Sequence, residues 1–174
     1  MPNPPNPIVS FSVESKILII GQAPGAKVQK SGIPFDDKSG QTLRDWLGVT
    51  VDEFYNTKNF GIIPMGFCFP GNNPKGGDLP PRPECAPQWH EPIFNLTKEV
   101  KLVLLIGSYA QKYYLKKQMK KNLTETVKAY YEYLPNYFPL VHPSPLNFRW
   151  HARNKWFQED IVPELKQKII NTLN

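Results

Sequence analysis

Two short turns in this sequence carry residue types that could bind a ligand or take part in catalysis. The first, G-Q-A-P-G at residues 21–25, follows the four aliphatic residues Ile17–Ile20. Glycine lets backbone N–H groups approach a ligand closely, and the carboxyl end of a parallel strand is a common binding position, although many such turns are only tight connections. The second, H-P-S-P at residues 142–145, follows another apolar run. A histidine there can donate a hydrogen bond to a substrate or simply cap the strand end.

Four short apolar runs are predicted to be the strands that position these turns. Ile17–Ile20 is too short for a helix and lacks polar alternation, which is typical of a strand buried on both faces. The four predicted strands span residues 16–20, 60–64, 101–106 and 138–141.

Helical patterns lie between these strands. Leu43, Trp46 and Leu47 recur at helical spacing after Ser39 or Gly40. Further helices are predicted at residues 109–119, 124–134 and 155–173, the last with a kink at Pro163 and with Trp156, Ile161, Leu165, Ile169 and Ile170 facing inward. Strands that alternate with helices predict an α/β protein with three α/β/α layers around a central, mainly parallel four-stranded sheet.

Length and composition favour one domain spanning residues 1–174, with a loosely ordered tail at residues 1–14. The hydrophobic share of 40% and the aromatic share of 13% argue against disorder. The 19 prolines cluster at residues 1–7 and 64–92, and the second cluster predicts a long irregular segment. The absence of a bilayer-length apolar run or a signal pattern favours a cytoplasmic protein, nucleoid-associated in a bacterium. A net charge of +6 favours polyanionic partners.

The sequence contains two cysteines, Cys68 and Cys85. They could form a disulfide, bind a metal or remain free thiols, and free thiols are favoured in an intracellular chain. The histidines are not at metal-ligand spacing with these cysteines, so no metal site is expected. Neither of the common glycine-rich nucleotide-binding motifs follows a predicted strand, which disfavours a nucleotide-binding enzyme.

Three segments, taken in order, resemble the uracil-DNA glycosylase superfamily. They are G-Q-A-P-G at residues 21–25 followed by G-I-P-F-D-D-K-S-G at 32–40, C-F-P-G-N-N-P-K at 68–75, and H-P-S-P at 142–145. The resemblance covers nearly the whole chain from residue 16. It is closest to branches with a G-x-A-P-G first motif, which are related to the iron–sulfur enzymes.

The resemblance implies a DNA repair enzyme, a monofunctional DNA glycosylase that hydrolyses the N-glycosidic bond of a flipped-out deaminated base, most often uracil. Gly21, Gln22 and Ala23 are then expected to bind the base through backbone N–H groups. Phe35 would stack against the base, unless it only packs in the core. His142 would stabilise negative charge on the leaving base as a neutral imidazole.

One departure from the family pattern concerns the group that activates water. Iron–sulfur relatives have a carboxylate at the position of Gln22, and glutamine cannot accept a proton usefully. Another branch has an aspartate in a D-x-S-G turn, which Asp37 matches here. Asp37 is therefore expected to activate water, with Gln22 in a positioning role. The alternative is that Asp37 only caps the helix that begins near Ser39.

A second departure concerns base reading and cofactors. Many relatives read the base with an asparagine near the end of the second strand, whereas residues 63–66 here are I-P-M-G. Base reading is therefore expected from backbone groups near Gly66 and Phe67. Iron–sulfur relatives use four cysteines, and Cys68 with Cys85 resembles only one of the two pairs, so no cluster and no other cofactor is expected.

The segment after His142 is expected to contact DNA, because the matching loop of the family enters the duplex beside the flipped nucleotide. The expected DNA-binding residues are Ser144, Leu146, Asn147 and Arg149. DNA is the expected partner of a monomer that needs no membrane and no obligate protein partner. The competing hypothesis is a relative that binds damaged or abasic DNA without turnover.

Overall fold

The computed structural model describes residues 4–174, and its centre is one parallel four-stranded sheet in the order β2-β1-β3-β4. The strands are β1 (Ile17–Ile20), β2 (Phe60–Ile62), β3 (Leu102–Ile106) and β4 (Tyr137–Leu140). Their bounds differ from the predicted ones by at most two residues at either end. The predicted α/β fold with three layers and a parallel central sheet is confirmed.

Helices cover both faces of the sheet because successive residues of each strand point to opposite sides. Ile17 and Ile19 of β1 pack in one core, and Leu18 and Ile20 pack in the other. The α-helices are α1 (Ala26–Ser31), α2 (Lys38–Leu47), α3 (Val51–Tyr55), α4 (Cys85–Leu96), α5 (Gly107–Leu115), α6 (Leu123–Lys128), α7 (Phe148–Arg153) and α8 (Val162–Leu173). Helices α2, α3, α6 and α8 contribute to the first core, and α4 and α5 contribute to the second.

Helix α4 lies inside the segment predicted to be irregular, so that prediction is wrong for residues 85–92. Pro87 falls in the first turn of α4, where backbone N–H groups have no helical partner in any case. Pro92 lies further along, and the helix nevertheless continues to Leu96. Its apolar face, with Ala86 and Ile93, packs against the sheet.

The structure also differs from the two helices predicted at residues 124–134 and 155–173. Residues 124–134 divide into α6, capped by Asn122, and a short 3-10 turn at Tyr130–Tyr133. A π-helical turn at Phe157–Ile161 precedes α8, and Pro163 lies in the first turn of α8, where proline is tolerated. Ile170 is half exposed and does not face the core.

The segment expected to be a loose tail is attached to the sheet from Ile8 onward. The N–H of Ile8 donates to the carbonyl of Phe67 at 2.8 Å, and Ser10 forms an antiparallel bridge with Ile62. Ile8 is buried, so the expectation of a loose tail does not fit this stretch, and residues 1–3 lie outside the described residues. Between residues 4 and 174, no helix combines the length and the apolar character needed to cross a membrane.

Candidate active site

A cavity of about 160 Å³ opens at the carboxyl edge of the sheet. The turn after β1 forms one side of it, and the turn before α2 contributes Phe35 and Asp37. Pro64 follows β2 and His142 follows β4, so both also reach the cavity. Asp37 and His142, which are far apart in the sequence, therefore line one cavity. This position is where open parallel sheets usually bind ligands.

The turn after β1 is held against the segment that follows β2. The carbonyl of Gly21 accepts from Met65 N–H at 2.8 Å, and that of Gln22 accepts from Gly66 N–H at 2.9 Å. Across residues 4–174, no partner within the chain accepts from the N–H groups of Gln22 or Ala23. Both residues line the cavity, so their backbone donors are free for a ligand.

Phe35 forms a wall of the cavity in an unusual backbone conformation. Its φ of 57° is left-handed, which is rare for an aromatic residue and is found where the surrounding structure enforces it. Tyr55 donates its hydroxyl hydrogen to the carbonyl of Pro34 at 2.9 Å, and Arg44 donates to the carbonyl of Phe35 at 3.3 Å. The ring tip of Phe35 lies 3.5 Å from the position a Cβ would take on Gly21, so the ring closely covers the first turn.

Gly40 allows this wall to pack against α2. A Cβ on Gly40 would lie 1.7 Å from the carbonyl oxygen of Phe35, a distance that no side chain tolerates. Glycine at position 40 is therefore required by the close approach of the two backbones.

Asp37 is both the N-cap of α2 and a lining residue of the cavity. Its Oδ1 accepts from the N–H of Gly40 at 2.8 Å. In the described part of the chain, no hydrogen bond reaches Oδ2. The capping role weighed from the sequence is thus present in the structure. It occupies one carboxylate oxygen and leaves the second available to a water molecule.

His142 is held at the cavity by the segment that follows it. The side-chain amide of Asn147 donates to the carbonyl of His142 at 2.7 Å. Burial lowers the pKa of His142, and the negative charge of Asp37 opposes this effect. The imidazole is therefore neutral at neutral pH, the form that can donate one hydrogen bond to a developing anion.

Asp78 is a second carboxylate at this cavity, and the sequence analysis missed it. It lies in the glycine-rich loop of residues 71–80 and is exposed at the rim. Partial burial is the main cause that raises the pKa of Asp78, and the negative charge of Asp37 is the second cause. The only signal in the sequence was an acidic residue directly after Gly76 and Gly77. That signal does not show where the loop packs, so it could not place Asp78 at the cavity.

Gly66 and Phe67 are placed away from the cavity, contrary to the expectation that they read the base. The N–H of Gly66 is engaged by the carbonyl of Gln22. Phe67 is buried, and its ring stacks on His90 with the ring centres 6.0 Å apart. The carbonyl of Phe67 accepts from Ile8. Direct contact of either residue with a base in the cavity does not fit this arrangement.

The segment expected to contact DNA lies beside the cavity. Ser144 lines the cavity, and its hydroxyl accepts from the N–H of Leu146 at 3.2 Å. Leu146 and Phe148 are 77% and 64% exposed, which is unusual for large apolar side chains. The guanidinium of Arg149 lies 5.6 Å from the centre of the Phe148 ring. Asn147 is less available for DNA than its neighbours, because its side-chain amide already donates to the carbonyl of His142.

The two cysteines do not fit an iron–sulfur cluster. Both are free thiols, Cys68 buried and Cys85 partly buried, and a cluster needs four cysteine ligands. In residues 4–174, no group of three or more histidine, cysteine or acidic side chains is arranged to hold a metal. The absence of a cofactor remains a prediction from the donor set.

A comparison with protein families agrees with the resemblance to the superfamily. The model described as the uracil DNA glycosylase superfamily matches residues 9–166. The match includes all four strands and every residue placed at the cavity except Ile8. With this match added to the sheet and to the cavity at its carboxyl edge, the chain belongs to the uracil DNA glycosylase superfamily.

Proposed function

We propose that this protein is a monofunctional DNA glycosylase that hydrolyses the N-glycosidic bond of a deaminated base, with uracil as its main substrate, and leaves an abasic site. Membership of the superfamily supports a DNA glycosylase type of function with DNA as the partner. The observation that carries the proposal is the convergence of Asp37, His142 and the Phe35 ring on one cavity. We also propose that the chain belongs to the branch with a G-x-A-P-G first motif, which residues 21–25 match.

Departure of the base requires hydrogen-bond donors. When the bond between the sugar carbon C1′ and the base nitrogen breaks, its electron pair leaves with the base. The neutral imidazole of His142 and the free N–H groups of Gln22 and Ala23 are donors at this cavity. Their hydrogen bonds strengthen as negative charge builds on the base, so they stabilise the transition state more than the bound substrate.

Attack on the sugar requires an oriented water molecule. Asp37 Oδ2 can accept one proton from that water while the water oxygen forms the new bond to C1′. The departing base anion takes a proton from solvent and Asp37 releases its proton to solvent, so the reaction consumes one water molecule and restores the carboxylate. Oδ1 remains bonded to Gly40, which fixes the carboxylate in one orientation.

DNA contacts are assigned to the segment after His142. Leu146 is exposed beside the cavity and can fill the space that the flipped nucleotide leaves in the duplex. Arg149 and Ser144 are assigned to the backbone phosphates. Asn147 acts mainly by holding His142 in place. All these groups belong to one chain, so the proposal requires only a monomer.

The test is cleavage of a duplex that carries one deoxyuridine, followed by alkali to break the strand at abasic sites. The wild-type protein should produce breaks, whereas Asp37→Asn and His142→Ala should each be slower by about 100-fold or more. A duplex with thymidine at the same position is the control. Breakage that persists in both variants contradicts the assigned roles, and tight binding without breakage favours the lesion-binding alternative.

Leu146→Ala tests the proposed duplex contact separately. A flipped nucleotide leaves a gap in the base stack only in duplex DNA, and Leu146 is proposed to fill this gap. Excision from duplex DNA should therefore fall by about 10-fold, and excision from single-stranded DNA should change little. Because Leu146 is 77% exposed, the variant should unfold like the wild type. An equal loss on both substrates would argue against insertion into the duplex.

A further inference from the structure

We infer that Asp78, in its neutral protonated form, hydrogen-bonds the polar edge of the flipped base and takes the place of the asparagine that many relatives carry near the end of the second strand, where residues 63–66 here are I-P-M-G. The inference rests on the proposed glycosylase function and adds to it the group that reads the base.

The structure positions Asp78 through its loop. The side-chain amide of Gln22 donates to the carbonyl of Leu79, the residue next to Asp78, at 3.4 Å. Leu79 N–H donates to the carbonyl of Gly71 at 2.8 Å, which closes the loop at its base. Asp78 Oδ2 lies 3.7 Å from the position of a Cβ on Gly25. The carboxyl group therefore lies beside the first turn, and it lines the cavity together with Asp37.

Three other polar groups near the cavity are already engaged. The carbonyl of Pro64 accepts from the Nε2–H of His90 at 3.1 Å, and the N–H of Gly66 donates to Gln22. The hydroxyl of Ser144 accepts from Leu146. By contrast, no hydrogen bond within the described residues reaches either carboxyl oxygen of Asp78.

The chemistry of the base explains why the neutral form is required. Uracil and hypoxanthine both present a ring N–H beside a carbonyl oxygen, so the reader needs an acceptor beside a donor. A neutral carboxyl group supplies both, as an amide does. An ionised carboxylate only accepts, and it would repel the carbonyl oxygen of the base.

The surroundings of Asp78 favour the protonated form of its carboxyl group. Asp37, at the start of α2, and His142, after β4, are the titratable groups that line the cavity with it in the described structure. Lys75 and Arg82 flank its loop and do not line the cavity. Two carboxyl groups at one site resist simultaneous ionisation. Asp78 is exposed in the free protein, and a bound base would cover it and increase this resistance.

The experiment compares Asp78→Asn with Asp78→Ala by single-turnover release of uracil from a single-stranded oligonucleotide. Alanine should slow release by about 10- to 100-fold, the value of a paired contact to a base edge. Asparagine should retain most of the rate, because its amide has a donor beside an acceptor and cannot ionise. The ratio of the asparagine variant to the wild type should rise with pH, since only the wild type loses its donor.

The ratio of the two proteins isolates Asp78, since the two proteins share every other titratable group. Glu84→Gln is the matched control, because Glu84 is exposed, forms no side-chain cap on α4 and lies outside the cavity lining. It also replaces a carboxyl group by an amide, and it should leave both rate and pH profile unchanged. An alanine variant as fast as the wild type overturns the inference. So does a ratio that stays constant with pH.

A binding measurement separates failure of this inference from failure of the proposed function. The probe is an oligonucleotide with 2′-fluoro-2′-deoxyuridine, which resists hydrolysis, and its N3-methyl derivative, in which the base edge is blocked. Asp78→Ala should weaken binding of the first probe and leave the second unchanged. If the wild type releases no uracil, the proposed function fails. The binding of the two probes then decides for or against the role of Asp78. If uracil is released but alanine changes neither rate nor binding, only the Asp78 inference fails.

Discussion

The two sides of the cavity differ in how firmly the chain fixes them. On one side, the turn at residues 34–40 holds Phe35 in a left-handed conformation. Hydrogen bonds from Tyr55 and Arg44 fix the two carbonyl groups of this turn, and Gly40 lets α2 pack directly on it. We call this side the fixed wall.

On the other side, the loop at residues 71–80 has open space around its glycines. Gly76 and Gly77 have φ values of 99° and 77°, and a Cβ on either would meet nothing within 4 Å. The loop is closed by its own backbone hydrogen bonds, and Asp78 at its end is exposed. We call this side the open wall.

The difference indicates a division of labour. The fixed wall carries Phe35 and Asp37, whose proposed roles need a geometry set before substrate arrives. The open wall carries Asp78, whose proposed role is to close on the polar edge of a base. The strained backbone therefore lies where chemistry is proposed, and the open space around Gly76 and Gly77 lies where recognition is proposed.

The strongest test of the fixed wall separates the two functions of Asp37. Asp37→Asn should lower the rate of base release by about 100- to 10,000-fold, because an amide cannot accept a proton from water. The free energy of unfolding should hardly change, because asparagine is as good an N-cap as aspartate. Single-turnover kinetics and urea unfolding measure the two effects.

Asp37→Ala completes this comparison, because it removes the cap as well as the carboxylate. It should lose the same activity and in addition about 1 kcal/mol of stability. If Asp37→Asn is active but Asp37→Ala is not, the residue serves only as a cap.

Gly40→Ala should damage the fixed wall through packing. A Cβ 1.7 Å from the carbonyl of Phe35 forces the turn and α2 apart, which should cost about 3 kcal/mol or more and lower Tm by about 6–12 °C. Gln41→Ala, at an exposed position on the same helix, is the control and should leave Tm nearly unchanged. A Gly40→Ala protein with wild-type stability would show that this wall is adaptable after all.

Gly77→Ala should have a smaller and different effect on the open wall. Alanine at a φ of 77° is strained by about 1–2 kcal/mol, but the surrounding space lets the loop shift. We expect KM for a uracil-containing oligonucleotide to rise more than kcat falls. Gly32→Ala is the control, with a φ of 72° and open space at the end of α1. Gly32→Ala should lower the free energy of unfolding by a similar amount without changing KM. Equal changes of KM in the two variants would contradict a role for the loop in recognition.

The fixed wall was largely predictable from the sequence, and the open wall was not. The run Ile17–Ile20 is apolar at every position, so the strand and the turn after it follow from local pattern. The capping role of Asp37 was predictable because an aspartate before a helical pattern is a local signal. Its position at the cavity was predicted from the resemblance of D-K-S-G to the D-x-S-G turn of another branch of the family.

The missed features depend on contacts that are distant in sequence. Prolines at 87 and 92 looked like helix breakers, and only the packing of Ala86 and Ile93 on the sheet shows why α4 forms. Gly66 was expected to offer its N–H to a base, but the pairing with Gln22 consumes it. Asp78 reaches the cavity through the fold of a loop without apolar periodicity, so no local pattern marks it.

The smallest predicted effect concerns the support of Pro64, the cavity-lining residue that follows β2. His90 is buried there, donates to Pro64 and accepts from the hydroxyl of Tyr114, with 2.5 Å between the two atoms. Burial lowers the pKa of His90 from its ordinary value of 6.5, and burial lowers the pKa values of His142 and His151 as well. The unfolded chain therefore binds protons more readily than the folded one, so stability should be lost as pH falls below 6.5.

His90→Gln tests this support, because glutamine offers a donor and an acceptor but does not titrate in this range. Urea unfolding should show that the wild type loses up to about 1.4 kcal/mol more per pH unit than the variant below the ordinary pKa of histidine. His151→Gln is the matched comparison at a less buried site, and its slope should change less. If the slope is the same in wild type and His90→Gln, protonation of His90 is not what weakens the support of the cavity in acid. The pH dependence of folding would then have to arise from groups other than His90, such as His142 at the cavity itself.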